Sequence, residues 1–237
     1  MKKLILIILF FLMNIQNTFA NNDYVVLIHG LARTSKSMEK MGKFLSQNGY
    51  EVVNINYPSH KQTIEEFSNI VNSDIQKYCT DKTKKINFVT HSMGSIILRY
   101  YLKNNKLKNL GRVVMLAPPN HGTEIVDFLG YNKIFGWLFK ALQGPAAMQL
   151  STDPKTSLPI QLGKADFEVG IIIGNKHKGK ILSYLIKGEN DGRVSIESSK
   201  LEGMKEHIVI SGGHRFLPDN KEAIQKTLKF LQTGSFN

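Results

Sequence analysis

Thr90-His91-Ser92-Met93-Gly94 carries the first sign of chemistry in this chain. The apolar run Ile86-Asn87-Phe88-Val89 leads into it, and a helix-like stretch, Ser95-Ile96-Ile97-Leu98-Arg99-Tyr100, leads out. A serine on a sharp strand-to-helix turn stands clear of the sheet. The helix start then aims backbone N–H groups at whatever the hydroxyl attacks. The spacing is that of Gly-x-Ser-x-Gly, with Thr90 in place of the first glycine. Threonine is larger, so the backbone there must twist or find extra room. The plainer reading of these residues is a strand–turn–helix corner with a chance serine, and the context has to decide.

A serine hydroxyl is a weak nucleophile at its ordinary pKa. It needs a base within hydrogen-bond reach, itself oriented by an acid. In an open parallel sheet such groups gather at the carboxyl ends of the strands, and the order serine, acid, histidine narrows the choice. His214 fits the base: it follows the apolar segment His207–Ile210 in Ser211-Gly212-Gly213-His214, whose glycines let the loop curl back over the sheet. His207 lies before that strand, and His177 precedes the expected acid in a lysine-rich loop. His60 and His121 fall outside the order or too near Ser92, and His91, beside the serine, is expected to point the other way. Asp191, in Gly188-Glu189-Asn190-Asp191-Gly192 after the apolar Ile181–Ile186 stretch, fits the acid. Glu189 is its rival, and a bland Asn-Asp-Gly surface turn the alternative. The oxyanion donors would be the backbone N–H groups of Met93 and Leu31, the latter turned inward by Gly30 in His29-Gly30-Leu31.

These groups must be positioned by a scaffold, and the pattern predicts one. Tyr24–His29, Tyr50–Tyr57, Ile86–Val89, Arg112–Leu116, Glu168–Ile173 and His207–Ile210 read as strands. Helices are expected over Ser37–Asn48, from the capping box Thr63-Ile64-Glu65-Glu66 onward, over Met93–Asn104 and over Ala223–Leu231. Strands alternating with helices predict an α/β fold, a doubly wound, mostly parallel sheet with helices on both faces. Between Pro119 and Asp166 no strand is expected, and the interval is dense in aromatics: Phe128, Tyr131, Phe135, Trp137 and Phe139. It reads as a core helix or as a helical cap, about residues 120–165, whose inner face meets an acyl chain or a lipid surface.

The 237 residues suit a single domain over 21–237 behind a separate N-terminal segment. Lys2-Lys3, the apolar Leu4–Met13 and Thr18-Phe19-Ala20 have the parts of a secretory signal, with cleavage expected after Ala20. The product would be exported, periplasmic or secreted; an uncleaved N-terminal anchor is the alternative. Cys79 is the only cysteine, so no internal disulfide supports the fold, and it reads as a small buried hydrophobe. The net charge is +12, but the lysines are scattered and no nucleic-acid motif accompanies them, so nucleic-acid binding is not expected.

Taken in order, Val25-Val26-Leu27-Ile28-His29-Gly30-Leu31, Phe88-Val89-Thr90-His91-Ser92-Met93-Gly94, Met115-Leu116-Ala117-Pro118-Pro119-Asn120-His121-Gly122, Asn190-Asp191-Gly192-Arg193-Val194 and Gly213-His214 resemble the α/β-hydrolase superfamily, and within it the small lipase and esterase branch with a His-Gly oxyanion loop. The resemblance implies Ser92 as nucleophile, Asp191 as acid and His214 as base. It implies an ester-hydrolysing activity on acyl esters or lipids, with no metal or organic cofactor. Contact of the cap with a membrane surface is a further expectation. Two other classes stay open, an acyltransferase using the same site and a non-catalytic envelope protein with this fold.

Overall fold

The computed structural model describes residues 23–134, 136–177 and 181–237; the expected export signal and Phe135 lie outside them. Six strands form one sheet: β1 Tyr24–Ile28, β2 Glu51–Ile55, β3 Ile86–His91, β4 Leu110–Leu116, β5 Val169–Gly174 and β6 Glu206–Ile210. Their spatial order is β2-β1-β3-β4-β5-β6 and every pairing between them is parallel. All five residues of β1 and all six of β3 and of β5 are buried. Strands covered on both faces read as unbroken apolar runs rather than alternating ones, which is why these segments stand out in the sequence.

The two faces are covered by different helices. Val26 and Ile28 share a core with α2 (Ile64–Tyr78) and α3 (Met93–Asn104), through Ile64, Phe67, Val71, Ile96 and Ile97. Val25 and Leu27, one step away along the same strand, pack instead with α1 (Glu39–Gln47) and the C-terminal helix Lys221–Thr233, through Met41, Leu45, Ile224, Phe230 and Leu231. Successive side chains of a strand point to opposite faces, so β1 serves both cores. The capping box that starts α2 is formed: the Glu66 N–H donates to Thr63 Oγ1 at 3.3 Å, and the Thr63 N–H to Glu66 Oε2 at 2.8 Å.

From β1 the chain runs to one side to make β2, then crosses back to make β3 on the other. The connections leaving the carboxyl ends of β1 and β3 therefore diverge and leave a crevice, the place where open α/β sheets hold ligands. Residues 29–33 and 92–93 flank it.

Between β4 and β5 come four short helices, α4 Glu124–Gly130, α5 Gly136–Gln143, α6 Pro145–Met148 and α7 Leu158–Gln161, with no strand among the described residues. Phe139 packs on the core beneath, while Trp137 is 70% exposed, with Phe128 and Tyr131 about half exposed. Most of this aromatic density therefore faces solvent rather than the core. Ile181–Leu185 is a 3-10 helix with Ile181 and Tyr184 exposed, so Asp191 is carried beyond β5 on a long loop. Cys79 is buried, and burial pushes its thiol up to about 11, as befits a packing residue. No helix among the described residues is long and apolar enough to cross a membrane.

Candidate active site

Ser92 directly follows β3 and caps α3 with φ 54° and ψ −125°. A side-chain-bearing residue in that region stores strain of about 1–3 kcal/mol and persists only where its surroundings enforce it. Here the Ser92 N–H donates to the Leu116 carbonyl and the Ser95 N–H to the Ser92 carbonyl, each at 2.9 Å. The turn also needs close approach. A Cβ on Gly94 would lie 2.5 Å from the backbone oxygens of Ile28 and His29, and one on Gly30 would lie 3.0 Å from Ser92 Cβ. The two glycines let the start of α3 and the loop after β1 close on the serine. Thr90 finds its room by a bond: its Oγ1 lies 2.8 Å from Ser95 Oγ, and both residues are wholly buried. The departure from glycine is thus accommodated by a hydroxyl pair across the strand–helix junction.

His214 and Asp191 converge on that serine. His214 Nε2 is 2.9 Å from Ser92 Oγ, and His214 Nδ1 is 2.7 Å from Asp191 Oδ2. Asp191 is fully buried, and its Oδ1 accepts the N–H groups of Arg193 at 3.0 Å and Val194 at 2.9 Å. An ionised carboxylate only accepts, so it takes the Nδ1 proton and leaves the Nε2 lone pair facing Ser92. The backbones are locked too, with the His214 N–H donating to the Asp191 carbonyl at 3.0 Å. Glu189, the rival acid, is exposed, and His207 bonds Ser199 Oγ at 2.9 Å. His177 pairs with Ser183 Oγ at 3.0 Å, and His121 faces the Ser198 carbonyl.

The loop after β1 is pinned by a residue the sequence did not single out. The Tyr57 ring stacks on His29 with centroids 4.0 Å apart, and the Tyr57 hydroxyl donates to the His29 carbonyl. Burial holds the His29 imidazole down to about 4, so it is neutral at pH 7. Its Nδ1 lies 2.9 Å from the Gly30 carbonyl and its Nε2 accepts the Tyr57 N–H at 3.4 Å. Leu31 follows directly from this anchored turn. Met93 is the first residue of α3, so its N–H has no carbonyl one turn back to meet. Both candidate oxyanion donors thus sit on segments held against Ser92.

His91 departs from expectation. It does not point away from the site: its Nε2 lies 3.0 Å from the His214 carbonyl oxygen, and the two rings are 5.0 Å apart. Burial above all, with the nearby His214, holds it well below the usual histidine range. A neutral His91 donates to that carbonyl and so ties the base's loop to the strand that carries the serine. A second junction lies behind the site, where the buried Arg99 donates to Asn120 Oδ1 at 3.1 Å and Asn120 to the Ser199 carbonyl at 2.8 Å. Among the described residues no cluster of His, Cys, Asp or Glu is arranged to hold a metal ion.

Residues 24–155 match the palmitoyl protein thioesterase family. That span contains Ser92, Met93 and Leu31 but stops short of Asp191 and His214. Among solved structures, the mature lipase BlEst2 of Bacillus licheniformis superposes with a TM-score of 0.71 at 21% identity, covering 93% of this chain and 95% of that one. Phospholipase PlaB of Legionella pneumophila superposes with a TM-score of 0.68 at 18% identity, covering 90% of this chain and 60% of its own. Lipase B of Aspergillus fumigatus gives 0.65 at 16% identity, over 93% and 55%. No curated protein sequence matches the chain. The parallel sheet flanked by helices is the α/β-hydrolase fold of these lipases and esterases.

Proposed function

Since the chain belongs to the palmitoyl protein thioesterase family, we propose that it is an exported serine hydrolase of lipid or other acyl esters. Ser92 is its nucleophile, His214 its base and Asp191 its acid. The carrying observation is the unbroken line from Asp191 Oδ2 through the imidazole to Ser92 Oγ, with steps of 2.7 and 2.9 Å. His214 Nε2 takes the Ser92 proton as Oγ bonds to the acyl carbon. Asp191 steadies the imidazolium without taking its proton. The Leu31 and Met93 N–H groups hold the oxyanion of the tetrahedral intermediate. Collapse expels the alcohol or thiol, which leaves with the proton from His214. Water then repeats the sequence on the acyl-enzyme, giving the free acid and restoring Ser92.

A lipid-facing role for the cap is supported by the exposure of five of its large apolar side chains, Phe128, Tyr131, Ile134, Trp137 and Leu142. Export rests on Lys2-Lys3, the apolar Leu4–Met13 and Ala20. Ser92→Ala tests the assignment. Turnover of a short acyl ester should fall by several orders of magnitude, leaving a residue of about 10³–10⁴ over water, and fluorophosphonate labelling should vanish while the fold is kept. A variant working at the wild-type rate ends the reading. Ester accumulation with an added acceptor alcohol would mark an acyltransferase, and a wild type that takes no label would mark a non-catalytic protein.

A further inference from the structure

Three arginines stand at the rim of this site, each beside one of its working parts. Arg33 lies two residues past Leu31, Arg193 two past Asp191, and Arg215 next to His214. Arg33 is tied into the rim, its Nη2 donating to the Arg215 carbonyl at 3.1 Å. Burial first, and then Arg215 and Arg193, push its guanidinium below the ordinary value against the pull of Asp219. Among the described residues none of the three arginines is in an ion pair. Gathering three guanidinium groups, with Asp219 the one carboxylate among the described residues acting on Arg33, favours a visiting anion.

A cleft opens at Arg33. It has a volume of about 620 Å³ and is lined by Arg33, Thr34, Lys36, Ser37, His60 and Leu142. It therefore offers two cationic side chains, two hydroxyls and an imidazole against one apolar wall. It begins at Ala32, directly after the candidate oxyanion donor Leu31, and extends to His60 on the connection that follows β2. Ala32 is two residues from Gly30, where an added Cβ would lie 3.0 Å from Ser92 Cβ, so a group seated there is within reach of a substrate held at Ser92. The exposed apolar cap residues suit the acyl chain, and the basic cleft suits the other half. Arginine forks match phosphate oxygens, and a phosphate brings a charge of about −1.5 to −2 with three strong acceptors.

We propose that the cleft between the loop after β1 and the cap binds a phosphate carried on the leaving half of the substrate, so that phosphate-bearing acyl esters or thioesters are this hydrolase's preferred class. The proposal rests on the hydrolase reading above. Two sources share the chemistry, a glycerophospholipid and an acyl-coenzyme A thioester.

The test uses monomeric substrates of one chain length, which removes any membrane surface from the comparison. Octanoyl glycerol, octanoyl glycerol phosphate and octanoyl-coenzyme A are compared by kcat/KM. A preference of about tenfold or more is expected for at least one phosphate-bearing substrate over octanoyl glycerol, shrinking as salt rises. Which of the two is favoured names the source. In Arg33→Gln/Lys36→Gln the ratio of phosphate-bearing to neutral rates should collapse towards one, and Arg33→Lys, which keeps both charges, should retain most of it. Equal rates on neutral and phosphate-bearing monomers would overturn the proposal, as would a preference present only on anionic vesicles, which would assign the arginines to the membrane surface. Calorimetry on Ser92→Ala separates the two readings. If wild type hydrolyses nothing while Ser92→Ala binds octanoyl glycerol phosphate at least tenfold more tightly than octanoyl glycerol, the hydrolase reading falls and the phosphate site stands. Equal affinities refute the site whatever the turnover.

Discussion

Asp191→Asn puts the sharpest question to the site. Asparagine matches aspartate in size but has one accepting oxygen and one donating NH₂. Asp191 Oδ1 accepts two backbone N–H groups, at 2.9 and 3.0 Å, and Oδ2 faces one imidazole N–H at 2.7 Å. If the amide turned its NH₂ toward the two backbone donors, both would be left buried without an acceptor, at a cost of about 1–3 kcal/mol each. The carbonyl oxygen should therefore stay on the Arg193–Val194 turn and the NH₂ should face His214. That forces the imidazole into the tautomer protonated on Nε2, which has no lone pair for the Ser92 proton. The expected loss is about 10⁴-fold in kcat, or about 5.5 kcal/mol of barrier, with little change in thermal stability. Asp191→Ala should behave differently, because it orphans both backbone donors and lowers stability by about 1–3 kcal/mol for each. Steady-state kinetics on a short acyl ester and thermal denaturation of both variants decide it. An Asp191→Asn enzyme that keeps more than a tenth of wild-type kcat would refute the assignment of this carboxylate.

The hydroxyl pair of Thr90 and Ser95 predicts coupling. Thr90→Val and Ser95→Ala should each cost about 1–2 kcal/mol by stranding or losing a buried hydroxyl, and the double variant should cost clearly less than their sum. A urea double-mutant cycle with no coupling would mean that the bond at 2.8 Å carries no energy. Acid should weaken the fold through His29. Its imidazole titrates at about 4 when folded and near 6.5 when unfolded, so the unfolded chain binds more protons between those values. Stability is then fullest above about pH 6.5 and is lost as pH falls towards 4, by up to about 3 kcal/mol, with the buried His91 acting in the same direction. The stability difference between wild type and His29→Gln should narrow over that window in urea titrations; a flat difference would show that His29 is not held neutral.

Much of the scaffold could be read from the chain because parallel strands buried on both faces leave unbroken apolar runs. Tyr24–Ile28 and Val169–Gly174 announce themselves in this way. The capping box at Thr63 was legible because its partners lie three residues apart. Ser92, Asp191 and His214 could be proposed because the topology dictates where strand ends gather, and the fold brings their side chains together. What escaped depends on contacts between distant segments. Nothing local shows that Tyr57 stacks on His29, since the two belong to different strand ends that meet only through the β1–β2 pairing. His91 was expected to point away because residues alternate across a strand. Ser92 interrupts that alternation at φ 54°, and the loop bearing His214 folds down over the neighbouring ring. The grouping of Arg33, Arg193 and Arg215 was equally hidden, because their separations in sequence say nothing of a shared rim. The apolar stretch Ile181–Ile186 ahead of Asp191 contains a 3-10 helix, Ile181–Leu185, with Ile181 and Tyr184 exposed, a pattern set by the loop's geometry rather than by periodicity.

The parallel architecture has a consequence for when such an enzyme would come alive. The crevice borrows its parts from the first strand, the third, and a loop just ahead of the last helix, because parallel neighbours are never joined by a simple hairpin. A polypeptide still emerging from the ribosome holds the serine long before it holds the imidazole at position 214. Until residue 214 has been added, the unfinished chain carries a hydroxyl with no imidazole to activate it. The proposed hydrolysis would then begin only once the imidazole-bearing loop has been made and has folded over the serine.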